Sequence, residues 1–236
     1  MTRTRLIGGI CLIAFSLAFI GVFALESSRV QLGYDDGDNP EQSVAFLLEH
    51  AIIYEVSGTL QIMMSVALVI SVLVVANSFA QETSDLPVNI SSVFGIFAAA
   101  GYFLNGALRL AAARPLLYID GLNHEWGVTA YLVVQMVGIQ GFAQAAIVNL
   151  GFWAIGLSLV LVRRRFLPKA IPLLAAFPAF QLFAAILLPF FGEPPSALFI
   201  LYVLSIFGTV LWCLILGIFL TRFKTATTGL FPSVAA

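Results

Sequence analysis

Six stretches of the chain are apolar almost without interruption, at about residues 6–25, 51–80, 90–113, 142–162, 170–191 and 197–220. A membrane-spanning helix needs about 20 mainly apolar residues, because roughly 30 Å of hydrocarbon is crossed at about 1.5 Å per residue. All six stretches therefore predict spans. Arg3 and Arg5 ahead of the first stretch look like the basic region of a cleaved signal peptide. The apolar run exceeds the usual ~7–15 residues and no A-x-A-like site follows, so the reading is an uncleaved anchor.

The polar breaks predict the rest of the layout. After Glu26 comes a turn-rich segment with Asp35, Asp36, Gly37 and Asp38, which cannot sit in lipid. Asn39-Pro40-Glu41 reads as a helix start, with Asp38 or Asn39 as cap and Pro40 at the first helical position. If that helix ran unbroken to Ala80 it would have about 41 residues and a length of roughly 60 Å, so its first turns belong outside or along the interface. Residues 114–141 are interrupted by Pro115, Gly121, Gly138 and Gly141. A short interfacial helix is expected at about 126–137, leading into the fourth span. Tyr118, Trp126 and Tyr131 would anchor this region in the headgroup layer. Pro172 and Pro178 inside the fifth stretch, with Pro189 near its outer end, predict a bend. The small residues Ala98 to Gly101 and Ala111 to Ala113 allow close helix approach and predict that the third span is the centre of the bundle.

Composition agrees with one all-α, polytopic membrane domain over residues 1–236, a six-helix bundle. The chain is 61% apolar and 10% charged, against roughly 45–50% and about 25% for soluble domains. A net charge of −1 leaves no basic footprint for nucleic acid, and the lipid bilayer is the expected partner. Cys11 and Cys213 both lie in apolar runs and make neither a disulfide framework nor a cysteine zinc site. Orientation follows from Lys and Arg, which are retained on the cytoplasmic side in short loops. With the N-terminus inside, Arg3, Arg5, Arg163, Arg164, Arg165, Lys169, Arg222 and Lys224 are cytoplasmic, eight of the eleven, against Arg29, Arg109 and Arg114 outside. Six spans then return the C-terminus to the cytoplasm.

Ionisable and amide groups inside apolar runs are the candidate site residues. Measured from the span midpoints, Glu55 lies roughly 16 Å and Arg109 roughly 11 Å outward, both at the outer edge of the hydrocarbon. Because spans two and three run antiparallel, Glu55 matches Arg109 in depth, and Gln61 matches Asn105. The two pairs cannot share one contact line, since positions 55 and 61 differ by about 120° around a helix. Asn149 and Gln181 fall at similar depths. The four amides are expected either to line an outer-leaflet pocket for a small-molecule ligand or to act as interhelical hydrogen-bond glue. His50, Tyr54, Ser57 and Gln61 share one helix face, a polar stripe descending from the surface.

His50 and His124 are the chain's two histidines, next to Glu49 and Glu125. Histidine with carboxylates can ligate a transition metal, and two histidines can hold a haem axially. The spacing forms no H-x-x-x-H or H-E-x-x-H pattern, so the primary expectation is no cofactor, with a metal or haem redox enzyme as the alternative. Neither a Walker loop nor a G-x-S-x-G elbow is present. An assembly subunit without a ligand is the third reading.

Glu55, Gly101-Tyr102 followed by Arg109, and Asn149-Leu150-Gly151 leading to Arg163-Arg164-Arg165-Phe166-Leu167-Pro168 resemble a family of bacterial six-span membrane proteins known as a domain of unknown function. The resemblance covers about residues 6–220 and implies the topology and a prokaryotic inner membrane. It implies no mechanism, and Ala111 to Ala113 stand where such families carry an acidic residue after the Arg.

Overall fold

A computed structural model describes residues 2–33, 39–80, 86–163, 174–187 and 196–222. The elements are α1 (Thr2–Gln31), α2 (Pro40–Glu49), α3 (Ala51–Ala80), α4 (Leu86–Leu122), α5 (His124–Gln135), a π-helical segment (Met136–Ala143), α6 (Gln144–Arg163), α7 (Ala176–Leu187) and α8 (Ser196–Arg222). Among the described residues five helical stretches are long and apolar enough to cross a membrane: Arg3–Ser28, Ala51–Ser78, Leu86–Leu122, His124–Val162 and Ile200–Arg222. For the expected fifth span only α7 and the two residues before it are described. Its 12 residues reach about 18 Å, short of a bilayer.

The long helices and α7 close into a ring, in the order α1, α3, α4, α6, α7, α8 and back to α1. The third span is therefore not the centre. Its small residues let α3 and α6 close in on its two sides, and the middle is filled by side chains instead. Trp153 of α6 and Trp212 of α8 meet edge to face at 5.6 Å, and Tyr102 of α4 packs against Phe15 and Phe19 of α1. Leu12, Met64, Leu68, Leu150, Leu157 and Leu216 complete this core. The outer wall is equally apolar: Ile10, Leu17, Met63, Val66, Leu73, Leu159, Leu204 and Leu211 are all exposed. So much exposed apolar surface is a liability in water and is solvated in lipid.

Neighbouring ring helices run antiparallel. In α1 and α3, Gly8 lies against Val74 while Glu26 meets Ser57. In α4 and α6, Gly101 lies against Ala146 and Gly156 against Ser91. Gly9 of α1 touches Thr221 of α8, so the first and last described helices have their chain-terminal ends on one face of the bundle.

Several expected boundaries move. α4 runs through Pro115 to Leu122, about 55 Å in all. Pro115 and Ala111, whose carbonyl loses its helical partner to the ring, are both exposed, so solvent can satisfy that carbonyl. The expected interfacial helix is α5, and it does not lie apart along the surface. It packs against α4 and passes through Gly138 and Gly141 into α6 as one helical stretch, the two glycines falling in the wider π turn. Asn123 makes the α4–α5 turn: its side chain accepts from the Trp126 amide, and its own amide donates to the Ile119 carbonyl. Tyr118 and Trp126 are exposed at this tip, whereas Tyr131 is buried. Pro178 sits in the first turn of α7, where no helical partner for its nitrogen is required, so it produces no mid-helix bend. Pro172, Pro189, the Asp35 to Asp38 turn and the basic residues Arg164, Arg165, Lys169 and Lys224 lie outside the described residues.

The helix starting at Pro40 is not continuous with α3. Asn39 caps it, accepting from the Glu41 and Gln42 amides, and His50 ends it with φ −131° and ψ 38°. α2 is thereby freed from the axis of α3 and lies against α5, α3 and α4. Val44 and Leu47 of α2 join Tyr54, Ala112, Ala113, Leu116 and Tyr131 in a second apolar cluster, separate from the main core.

Candidate functional site

The site is built on the crossing of α3 and α4. Gly58 and Gly106 face each other so closely that a Cβ on Gly106 would stand 2.6 Å from the Gly58 carbonyl oxygen, and one on Gly58 2.9 Å from the Gly106 oxygen. Glycine at both positions lets the backbones touch, as small residues do in membrane bundles. One residue to the N-terminal side of each glycine lies a polar residue, Ser57 and Asn105, and three residues beyond each lies another, Gln61 and Arg109. The crossing sets these in two layers. In one layer the Asn105 amide donates to Gln61 Oε1 at 2.7 Å. In the other, nearer the start of α3 and the end of α4, Arg109 Nη1 donates to Ser57 Oγ at 3.2 Å.

Arg109 is 5% exposed, and its counter-charge comes from α1. Its Nη1 donates to Glu26 Oε1, and Ser57 Oγ donates to the same oxygen at 2.9 Å. The guanidinium also lies over the Tyr54 ring, 5.2 Å from its centroid, a cation–π contact in a desolvated setting. Three helices are thus tied at one point by a charge-assisted network that compensates the desolvation of Arg109.

Glu55, expected to face Arg109, does not. It is two residues from Ser57 and so points about 200° away around α3, and its carboxylate lies 3.9 Å from Arg114, whose side chain is almost fully exposed. That is a surface pair. Tyr54, Ser57 and Gln61 are buried along the inward stripe, and His50 at the helix break is half-buried against the Phe46 ring. Among the four amides, Gln61 and Asn105 bond to each other. Gln181 pairs with Thr209 of α8 instead, and Asn149 donates back to the Ala145 carbonyl of its own helix. The amides do not converge on one pocket. The Oδ1 atom of Asn105, buried against Gly138 in the π segment, has no hydrogen-bond partner among the described residues.

His124 Nδ1 lies 2.7 Å from Asp120 Oδ1 at the exposed α4–α5 tip, and Glu125 is exposed in the next turn. Glu49 is exposed at the end of α2. Among the described residues no group of three or more His, Cys, Asp and Glu side chains could hold a metal ion.

No family model, no curated protein and no solved structure matches this chain. The site's own geometry therefore carries the functional reading.

Above the ion pair, α2 closes over a small cavity lined by Leu25, Glu26, Ser43, Phe46, Leu47, Ile53, Tyr54 and Tyr131. Its volume is ≈ 10 Å³, room for about one water molecule. Glu26 was not among the residues expected to form a site, because the apolar run stops at Leu25 and the next residues read as loop. α1 in fact continues to Gln31, so Glu26 keeps a helical direction and turns inward. The usable signal was that a span-three arginine needs a counter-charge at matched depth, and both Glu26 and Glu55 qualify.

Proposed function

We propose that the protein spans a prokaryotic inner membrane six times with both termini in the cytoplasm, and that it binds or passes a small or amphipathic molecule at its outer-side polar pocket. The orientation is supported by the cytoplasmic excess of Lys and Arg. The functional reading is carried by one observation: a buried Arg109–Glu26–Ser57 cluster adjoins a cavity covered by a separate short helix. An intramembrane ion pair of this kind marks ligand or ion paths, and a pocket mainly of apolar and aromatic side chains with a few polar groups is the usual form of a small-molecule site. The cavity as closed holds about one water, so a larger occupant requires α2 to lift from α5. Apolar contacts of Val44 and Leu47 oppose that movement, and the break at His50 permits it.

Native mass spectrometry of the protein released from lipid nanodiscs tests the proposal. The unaltered chain should retain a small or amphipathic adduct, and Ser43→Val, whose one added methyl takes up the one-water space and which removes the hydroxyl, should lose it. Identical spectra for the two, with no adduct on either, would overturn the reading.

A further inference from the structure

The cavity under α2 has one charged lining residue, Glu26. Its partner Arg109 lies behind it: the Arg109 side chain is 6% exposed and that of Glu26 33%. The ion pair is therefore a dipole with its negative end toward the cavity. Phe46, Tyr54 and Tyr131 make the lining aromatic; the Tyr54 face is turned to Arg109, so Phe46 and Tyr131 are the rings whose negative quadrupole density can act on a cation. Ser43 and the two tyrosines supply hydroxyl oxygens. Leu25, Leu47 and Ile53 make the remaining surface apolar. A carboxylate with aromatic rings and hydroxyls is the chemistry that receives a cation, and an anion would meet Glu26 first.

Size narrows the class. The space beside Glu26, about one water, matches an ammonium group, a compact charge with three donors; α2 must lift for the carbons behind it, and a trimethylated head beside Glu26 would force it much further off α5. We propose that this pocket recognises the primary ammonium group of an amphipathic amine, with Glu26 accepting its hydrogen bonds and the apolar lining taking the first carbons of its tail. The inference rests on the reading of the pocket as a ligand site and names the chemistry of the ligand.

The test uses the full chain in phosphatidylcholine nanodiscs, titrated at constant ionic strength with n-butylammonium, tetramethylammonium or butyrate while the thermal unfolding midpoint is followed. Butylammonium should raise the midpoint saturably, as a ligand of the folded state does, and the other two should not. Glu26→Gln should remove the effect. Phe46→Leu leaves the ion pair intact and should weaken butylammonium by about tenfold through lost aromatic contact, which keeps the test decisive if Glu26→Gln fails to fold. Equal responses to butylammonium and butyrate or tetramethylammonium would refute the ammonium assignment, as would an unchanged response in Phe46→Leu. A retained adduct in native mass spectrometry without any butylammonium effect would refute the assignment alone, and the loss of both would remove the pocket reading as well.

Discussion

Replacing Glu26 by glutamine should destabilise the protein far more than replacing Glu55. Glu26→Gln keeps the shape of the side chain and removes the charge that faces Arg109. The guanidinium then remains 5% exposed with Ser57 and the Tyr54 ring as neutral partners. Breaking a fully buried ion pair costs about 3–5 kcal/mol. Since a third of the Glu26 side chain is exposed, solvent recovers part of this, and about 2 kcal/mol is expected, roughly a thirtyfold change in the unfolding equilibrium. Glu55→Gln disturbs only the 3.9 Å contact with the exposed Arg114 and should cost under about 0.5 kcal/mol. The assay is equilibrium unfolding in mixed micelles, followed by circular dichroism, of Glu26→Gln, Arg109→Gln and the double variant. The coupling in this cycle should be about 1.5 kcal/mol or more, because the second replacement removes a charge already left unpaired. Additive losses, or a Glu55→Gln loss as large as that of Glu26→Gln, would refute the assignment of Glu26 as the partner.

The α3–α4 crossing should be intolerant of bulk: Gly106→Val would drive a side chain into the Gly58 carbonyl, lowering stability by about 2–3 kcal/mol, whereas Ala107→Val on the same helix, half-buried, should change it by under about 1 kcal/mol in the same unfolding assay. Gln61 and Asn105 should couple weakly, by about 0.6 kcal/mol, as interhelical amide bonds in membranes do; a coupling near zero in their alanine cycle would contradict the 2.7 Å bond. Trp153→Ala should cost about 3–5 kcal/mol and alter the near-ultraviolet dichroism of Trp212, since the two rings pack edge to face. A reporter active only in the cytoplasm, fused at the C-terminus, should be active, and one inserted in the 35–39 segment should be silent; the reverse at either position would overturn the orientation.

The apolar runs were legible because length and hydropathy alone determine what can cross a bilayer, and α3, α4, α6 and α8 fall where those runs lie. Their outer ends were not. Once a helix leaves the hydrocarbon, its continuation depends on what it packs against, so Pro115 and Gly138 read as breaks although α4 and α5 support each other through them. The site was half legible. The stripe of Tyr54, Ser57 and Gln61 and the Gln61–Asn105 pair follow from helical periodicity and antiparallel register. The partner of Arg109 did not follow, because depth matching compares height and leaves azimuth open. Glu55 has the right height and the wrong direction, while Glu26 sits on a third helix whose contact with α3 no local pattern announces. Likewise, Gln181 and Asn149 share a depth with Asn105 but face Thr209 and the Ala145 carbonyl.

The claim that the pocket under α2 is a ligand site is tested most directly by an experimental density map of the protein taken from native membrane in polymer nanodiscs, without detergent. The account predicts non-protein density larger than one water beside Glu26, Ser43 and Tyr131, with α2 displaced outward to admit it. A cavity closed down to a single water, with Glu26 engaged by Arg109 and Ser57 and α2 seated on α5 in every particle class, would contradict it.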